Sequence, residues 1–293
     1  MNPTTTIDPT KESAATLFGQ LLAAITPRPI AFVSTIDKEG NVNISPFSFF
    51  NAFSVNPPIL IFSSSRRVRD ATNKHTIENI REVGEVVVNT VNFPMVEQMS
   101  LASTEYAKGV NEFVKAGLTQ VESDVVKPPR VGESPVAMEC KVQQIIEAGS
   151  NGGAGNIVIV EVVKIHVQNK YLDKNGKIDT TKLDMVGRMG GNWYCRASGD
   201  ALFEIPKPLR TKGIGIDQLP DYIRNSDLLT GNQLGRLGNI ERLPTDEDIT
   251  AYRLQVNFKD NEVSKRILFE KGIELLDEGK AIEALKMLMI FGN

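Results

Sequence analysis

Residues 30–44 read Ile30-Ala31-Phe32-Val33-Ser34-Thr35-Ile36-Asp37-Lys38-Glu39-Gly40-Asn41-Val42-Asn43-Ile44. A run of apolar and β-branched side chains ends in a turn composition, and a second short β-type run follows. The spacing predicts an antiparallel hairpin, 30–36 against 41–44. Downstream, 59–62 is a short apolar strand ending in serines and 85–91 is another. Residues 137–146 and 156–168 are two longer strands, with a hairpin-turn composition over 149–155 and a weaker strand signal near Tyr171. A brief helix is expected at 76–83, with Ile77 and Ile80 on one face and Gly84 at its end. Upstream, 8–25 reads as an amphipathic helix, capped by Asp8 with Pro9 in its first turn and stopped by Pro27 and Pro29. Residues 97–115 read as a charged loop with one or two helical turns. Most of 30–170 is strand and turn, which favours a mainly β barrel or sandwich over a doubly wound parallel sheet.

The character changes after about residue 200. Pro206 and Pro208 mark a linker, and Thr245 opens an acidic first turn, a helix start. Residues 262–277 and 281–291 read as two helices joined at Glu278-Gly279-Lys280. The pair is similar to one tetratricopeptide-type hairpin, but a single copy makes no solenoid. The expected division is 1–200 and a helical extension of unknown role over 201–293, packed on the barrel or on a partner subunit.

The chain has 293 residues, with 33 basic against 36 acidic side chains and a formal net charge of −3. This mild acidity argues against a nucleic-acid partner, which needs clustered positive charge. Cys140 and Cys195 are far apart and form no CxxC motif; a disulfide is not expected. The start, Met1-Asn2-Pro3, has no basic-then-apolar pattern, and the apolar runs 157–160 and 287–291 are too short to span a bilayer. A cytoplasmic protein without a membrane partner is expected. His75 and His166, the only histidines, lack nearby ligands in the sequence, so no metal is expected. Gly152-Gly153-Ala154-Gly155 precedes a strand, whereas a dinucleotide fingerprint follows one. No Walker loop and no GxSxG elbow is present.

Two stretches carry chemistry. In 62–76, a strand ends in Ser63-Ser64-Ser65, Arg66, Arg67 and Arg69 follow, and Lys74-His75-Thr76 opens a helix. Hydroxyls, cations and the free N–H groups of a helix start together suit a phosphate; the plainer reading is a polar loop with a Thr76 cap. In Ser45-Pro46-Phe47-Ser48-Phe49-Phe50-Asn51, a loop of alternating phenylalanines can border a flat ring, with Ser48 and Asn51 at its edge. Phenylalanines filling a core is the plainer alternative.

The segments Ile25-Thr26-Pro27-Arg28-Pro29-Ile30-Ala31-Phe32-Val33-Ser34-Thr35, 43–51, Pro57-Pro58-Ile59-Leu60-Ile61-Phe62-Ser63 and Lys74-His75-Thr76 with Asn79-Ile80 and Val87-Val88-Asn89 occur in order. Together they resemble the flavin reductase-like, FMN-binding split-barrel family, which includes flavoredoxin, over roughly residues 15–198. The resemblance implies a Greek-key split β-barrel with peripheral helices, assembled as a homodimer with FMN near the subunit interface. It implies that Lys74, Thr76, Ser63 and Ser64 hold the phosphate, with Arg66 or Arg67 assisting. Ser48, Phe49, Phe50 and Asn51 would border the isoalloxazine, and Arg28-Pro29 would lie along the ribityl or ring side. Gly187-Arg188-Met189-Gly190-Gly191-Asn192-Trp193-Tyr194 resembles the family's closing motif; Arg188 and Tyr194 would reach the flavin or a nicotinamide across the dimer, unless Trp193 simply seals an interface. His75 stands where the family often has an acidic residue, which removes an orienting carboxylate from Lys74. The implied activity is hydride transfer from NADH or NADPH to the flavin N5, with no acid–base dyad needed because the cofactor supplies the hard chemistry. A non-enzymatic FMN electron carrier and a scaffold whose helical tail binds partners are the alternatives.

Overall fold

The computed structural model describes residues 3–205, 211–257 and 264–292. The expected linker prolines, Pro206 and Pro208, lie outside these. The chain divides into two compact units, Met1–Phe203 and Glu204–Asn293.

The first unit opens with a 3-10 turn, Pro9–Lys11, followed by α1 (Ala14–Ala24). The helix expected over 8–25 therefore starts late. Asp8 caps only the short turn, and Ser13 caps the helix, its hydroxyl accepting from Thr16 N at 3.1 Å. The expected buried face is absent, since no α1 residue is buried in the chain.

β1 (Ala31–Ile36) and β2 (Val42–Phe47) form the expected hairpin, Ala31 facing Phe47 and Ile36 facing Val42. The Asp37 carboxylate makes the turn, accepting from Asn41 N at 2.7 Å and Asn41 Nδ2 at 2.9 Å. The expected loop at 45–51 is instead the end of β2, a turn at Ser48 and Phe49, and the start of β3 (Phe50–Val55). The alternation of phenylalanines there is strand periodicity, and Pro46 is tolerated because β2 is an edge.

β4 (Pro58–Ser65), α2 (His75–Val83) and β5 (Glu85–Asn89) follow. Gly84 closes α2 at φ 73°, in the left-handed conformation that suits a helix end. Residues 97–115 hold more helix than expected, in α3 (Val96–Ala102) and α4 (Glu112–Ala116). Two short strands, β6 (Gln120–Val121) and β7 (Arg130–Val131), precede the long pair β8 (Val136–Glu147) and β9 (Gly155–Val167). The strand signal near Tyr171 is a 3-10 turn, Asn169–Tyr171. A last hairpin joins β10 (Met185–Arg188) to β11 (Tyr194–Ala197).

Seven strands make one antiparallel sheet in the order β2-β1-β5-β8-β9-β4-β3. The sheet is open: β2 and β3 are its edges, and among the described residues no ladder joins them. Both faces of β1 are covered, which explains its unbroken apolar run. Phe32 points into a cluster with Ile44, Met99 and Phe113, beneath α3 and α4. Ala31 and Val33 point into another with Phe47, Phe62, Ile77, Ile80 and Val158, beneath α2. Full burial of a side chain such as Phe32 or Phe62 stabilises by roughly 1.5–3 kcal/mol.

The second unit is helical: α5 (Asp221–Arg224), α6 (Gly231–Gly238), α7 (Asp246–Val256), α8 (Lys265–Asp277) and α9 (Ala281–Met289). Thr230 with Gln233, and Thr245 with Asp248, form capping boxes. The expected hairpin is α8–α9; Gly272 lets them close, since a Cβ there would lie 2.9 Å from Leu288 Cδ2. Ile223, Leu237, Phe269, Leu285 and Leu288 fill the unit's own core. Among the described residues no helix is long and apolar enough to cross a membrane.

Candidate functional site

The corner expected to hold a phosphate forms where β4 ends and α2 begins. Along β4, Leu60, Phe62 and Ser64 face the core, while Ile61, Ser63 and Ser65 face away. Ser63 and Ser64 therefore do not act from one face. Ser63 Oγ sits over Gly155, where a Cβ would approach to 2.7 Å. Ser64 is fully buried and its hydroxyl has no hydrogen-bond partner. Asn156 pairs with it across the ladder and donates from Nδ2 to Ser64 O at 2.9 Å and to Asn73 Oδ1 at 3.0 Å, pinning the loop 66–74 to the sheet. Asn156 Oδ1 and Arg66 Nε are also buried without partners. A hydroxyl, a guanidinium N–H and an amide oxygen are thus orphaned at one strand end, where buried polar groups ordinarily find a partner.

No side chain caps α2, so N–H groups of its first turn stay open to an anion. Lys74, at the cap position, is half-buried, with its ammonium 5.3 Å from the centroid of Phe47. Among the described residues this ammonium has no hydrogen bond and no ion pair. Burial pushes its pKa down, Glu105 opposes this, and Arg67 adds to it.

Thr76 is buried, and its hydroxyl donates to Asn43 Oδ1 at 2.9 Å. Asn43 Nδ2 donates to Glu112 Oε1 at 2.9 Å, and Glu112 Oε2 accepts from Ile44 N at 3.1 Å. An ionised carboxylate only accepts, so Glu112 fixes the Asn43 amide and makes Thr76 the donor to it. What Thr76 leaves for an anion is its main-chain position in the helix start, not its hydroxyl proton. His75 turns to its own helix, Nδ1 lying 3.4 Å from Glu78 Oε2.

Arg67 splints the loop, donating from Nη1 to Thr72 Oγ1 at 3.0 Å and to Asn73 O. Its Nε donates to Glu105 Oε1 at 3.2 Å, and Arg69 Nη1 lies 2.8 Å from Glu105 Oε2. Arg67, Lys74, Thr76, Glu105 and Tyr106 line one cleft.

The ring-side residues gather around Arg28, which is 4% exposed. Its Nε donates to Ser48 Oγ at 3.3 Å, Nη1 to Leu22 O at 2.5 Å and Ile25 O at 2.6 Å, and Nη2 to Met189 O at 3.0 Å. The backbones of Arg28 and Arg188 exchange two further bonds, at 3.0 and 2.8 Å. Arg28 is a bracket between α1, the β2–β3 turn and the last hairpin, with most of its donors engaged. Burial, then the neighbouring Arg188, lowers its pKa. Arg188 faces Tyr194 in the hairpin, its guanidinium 4.5 Å from the ring centroid. Phe49 is partly exposed and meets Phe18 edge-on at 6.3 Å, while its carbonyl accepts from Ser63 N at 2.9 Å, tying the turn to the end of β4. Pro29 is exposed. Phe50 packs against the core, and Asn51 Oδ1 is engaged by Ala52 N at 2.8 Å. Ser48 and Arg188 thus contact Arg28 directly, with Phe49 next along the turn from Ser48 and Tyr194 stacked on Arg188, whereas Phe50 packs on the core and Asn51 bonds within its own strand. Trp193 is 78% exposed.

His166 does not stand alone as the sequence suggested: Nε2 lies 2.6 Å from the buried Glu139, and Asp124 is nearby. Glu139 also accepts from the N–H groups of Asp124, Val125 and Val126, and Asp124 pairs with Lys164 at 2.5 Å, so these acids already have protein partners.

The fold and site define an antiparallel β-sheet protein in which no side chain caps α2 and Lys74, at its start, lies over the Phe47 ring. Residues 23–182 match the flavin reductase like domain, and the chain belongs to that family. An uncharacterized protein of Aquifex aeolicus is 38% identical over 190 residues, 65% of this chain and 94% of its own. The crystal structure of nitrilotriacetate monooxygenase component B from Bacillus cereus is 30% identical with a TM-score of 0.65, covering 70% of this chain and all of its own. A split-barrel protein from Shewanella frigidimarina, assigned as a flavin reductase, is 28% identical with a TM-score of 0.58, covering 68% and 95%.

Proposed function

We propose that this protein binds FMN in its first unit and transfers hydride to it from NADH or NADPH, as a cytoplasmic homodimer with a Greek-key split-barrel core. The carrying observation is Lys74, a half-buried ammonium that has no hydrogen bond or ion pair among the described residues and stands at the start of α2, which no side chain caps. A partly desolvated charge gains from a counter-charge, and a phosphate monoester supplies nearly two. Family membership and the Shewanella frigidimarina relative, whose name carries both flavin reductase and split barrel, support a flavin cofactor and the barrel. The apolar, unburied α1, with Phe18 and Leu21 exposed and Ile25 exposed at its end, supports a second copy as partner.

When bound, FMN supplies the hydride-accepting ring. Lys74 and the α2 N–H groups would hold the phosphate by charge and dipole. Ser48, fixed by Arg28, would offer a polar contact to the ring and Phe49 an aromatic one. Arg188 and Tyr194 would contact the flavin or the nicotinamide. These groups act by orientation and electrostatics.

The absorbance spectrum of the purified protein, before and after adding FMN, tests the reading together with NADH and NADPH oxidation. Flavin bands and FMN-dependent oxidation are expected. A colourless protein that takes up no FMN would reject the reading, and a yellow protein inert to both nicotinamides would be an electron carrier instead.

A further inference from the structure

We propose that Glu105 is a built-in competitor for the flavin phosphate: its carboxylate holds Arg67 and Arg69 of loop 66–74 and thereby sets how tightly a phosphorylated flavin binds. This rests on the phosphate corner proposed above. Glu105 lies on the connection between α3 and α4, and its two oxygens engage Arg67 Nε at 3.2 Å and Arg69 Nη1 at 2.8 Å. It lines the same cleft as Lys74 and Thr76. An incoming phosphate and this carboxylate therefore seek the same donors, and two anions this close repel.

Arg67 and Lys74 share the cleft with Glu105, while Arg69 is divided between Glu105 and Asp70, whose Oδ2 lies 3.2 Å from its Nε. The carboxylate is 43% exposed and Arg69 is 67% exposed, so their contact is the weak, solvent-screened kind that yields to a better-held anion. Arg67 is only 14% exposed and is fixed by Thr72 and Asn73, so the cation stays in place when the carboxylate leaves. Glu105 has water beside it to turn into; Arg67 does not. The neighbouring acid Glu78 is already taken up by His75 and by Lys108 at 3.9 Å.

The test is a set of fluorescence titrations with FMN and with riboflavin, plus competition by inorganic phosphate, on the full-length wild type, Glu105→Gln and Lys74→Ala. Glu105→Gln is expected to bind FMN and inorganic phosphate on the order of tenfold more tightly, with riboflavin unchanged. Glu105→Ala should move in the same direction. Unchanged or weaker FMN binding by both variants overturns the proposal and leaves Glu105 a brace for the loop. The underlying corner fails separately if wild type holds riboflavin as tightly as FMN and Lys74→Ala changes nothing, and the proposal then falls with it.

Discussion

Asn43 shows how much of the site is decided by one amide. Its orientation follows from Glu112, and through it the Thr76 hydroxyl proton is committed to Asn43, which lines the same cleft. The sequence made Lys74 and Thr76 visible because a helix start has local signals. Asn43 and Glu112 are 69 positions apart, and Asn156 and Asn73 are 83 apart, so no local pattern announces either pair. Glu112 also makes stability depend on pH. Burial outweighs its hydrogen bonds and raises its pKa above the ordinary 4.5. Its favourable contribution is therefore full below that ordinary value and is lost as pH rises through the raised one. Urea denaturation midpoints measured from about pH 4 to 7 should show this loss in wild type and a flatter profile in Glu112→Gln. Equal pH profiles would mean that Glu112 titrates alike in the folded and unfolded chain.

At the scale of elements, the strands were legible wherever one or both faces are buried, as in β1, and turns wherever Asp or Gly forces them, as at 37–40. The misreadings share a cause. Asp8-Pro9 is a true helix-start signal that a 3-10 turn uses first. The phenylalanine alternation at 45–51 is compatible with loop or strand until a neighbouring ladder is known. Arg28 was legible as a motif residue but not as a bracket, because its acceptors are main-chain carbonyls of α1 and the last hairpin. Arg28→Ala should lower stability by roughly 2 to 4 kcal/mol, since it removes three hydrogen bonds from a buried guanidinium to the part-buried carbonyls of Leu22, Ile25 and Met189. Arg28→Lys should restore little of that, lacking the planar fork. Chemical denaturation measures both; a loss under 1 kcal/mol for Arg28→Ala, the worth of about one ordinary hydrogen bond, would count against the bracket.

For the whole molecule, periodicity and caps revealed the helical character after residue 200. The strand order was out of reach, because β4 meets β9 across some ninety intervening positions and only long-range pairing fixes it. The second unit has a core of its own, with Leu285 fully buried in it. Leu285→Ala should cost about 2–5 kcal/mol in that unit's unfolding while leaving FMN affinity unchanged; a matching loss of FMN binding would draw residues 204–293 into the site. The central claim is that a phosphate-bearing flavin is gripped through Lys74, and calorimetric titration of FMN into full-length wild type and Lys74→Ala measures it most directly. Weakening of roughly ten- to a hundredfold in the variant is predicted, the worth of one charge-assisted contact, with riboflavin binding unaltered. Equal dissociation constants for FMN in the two proteins would contradict the account.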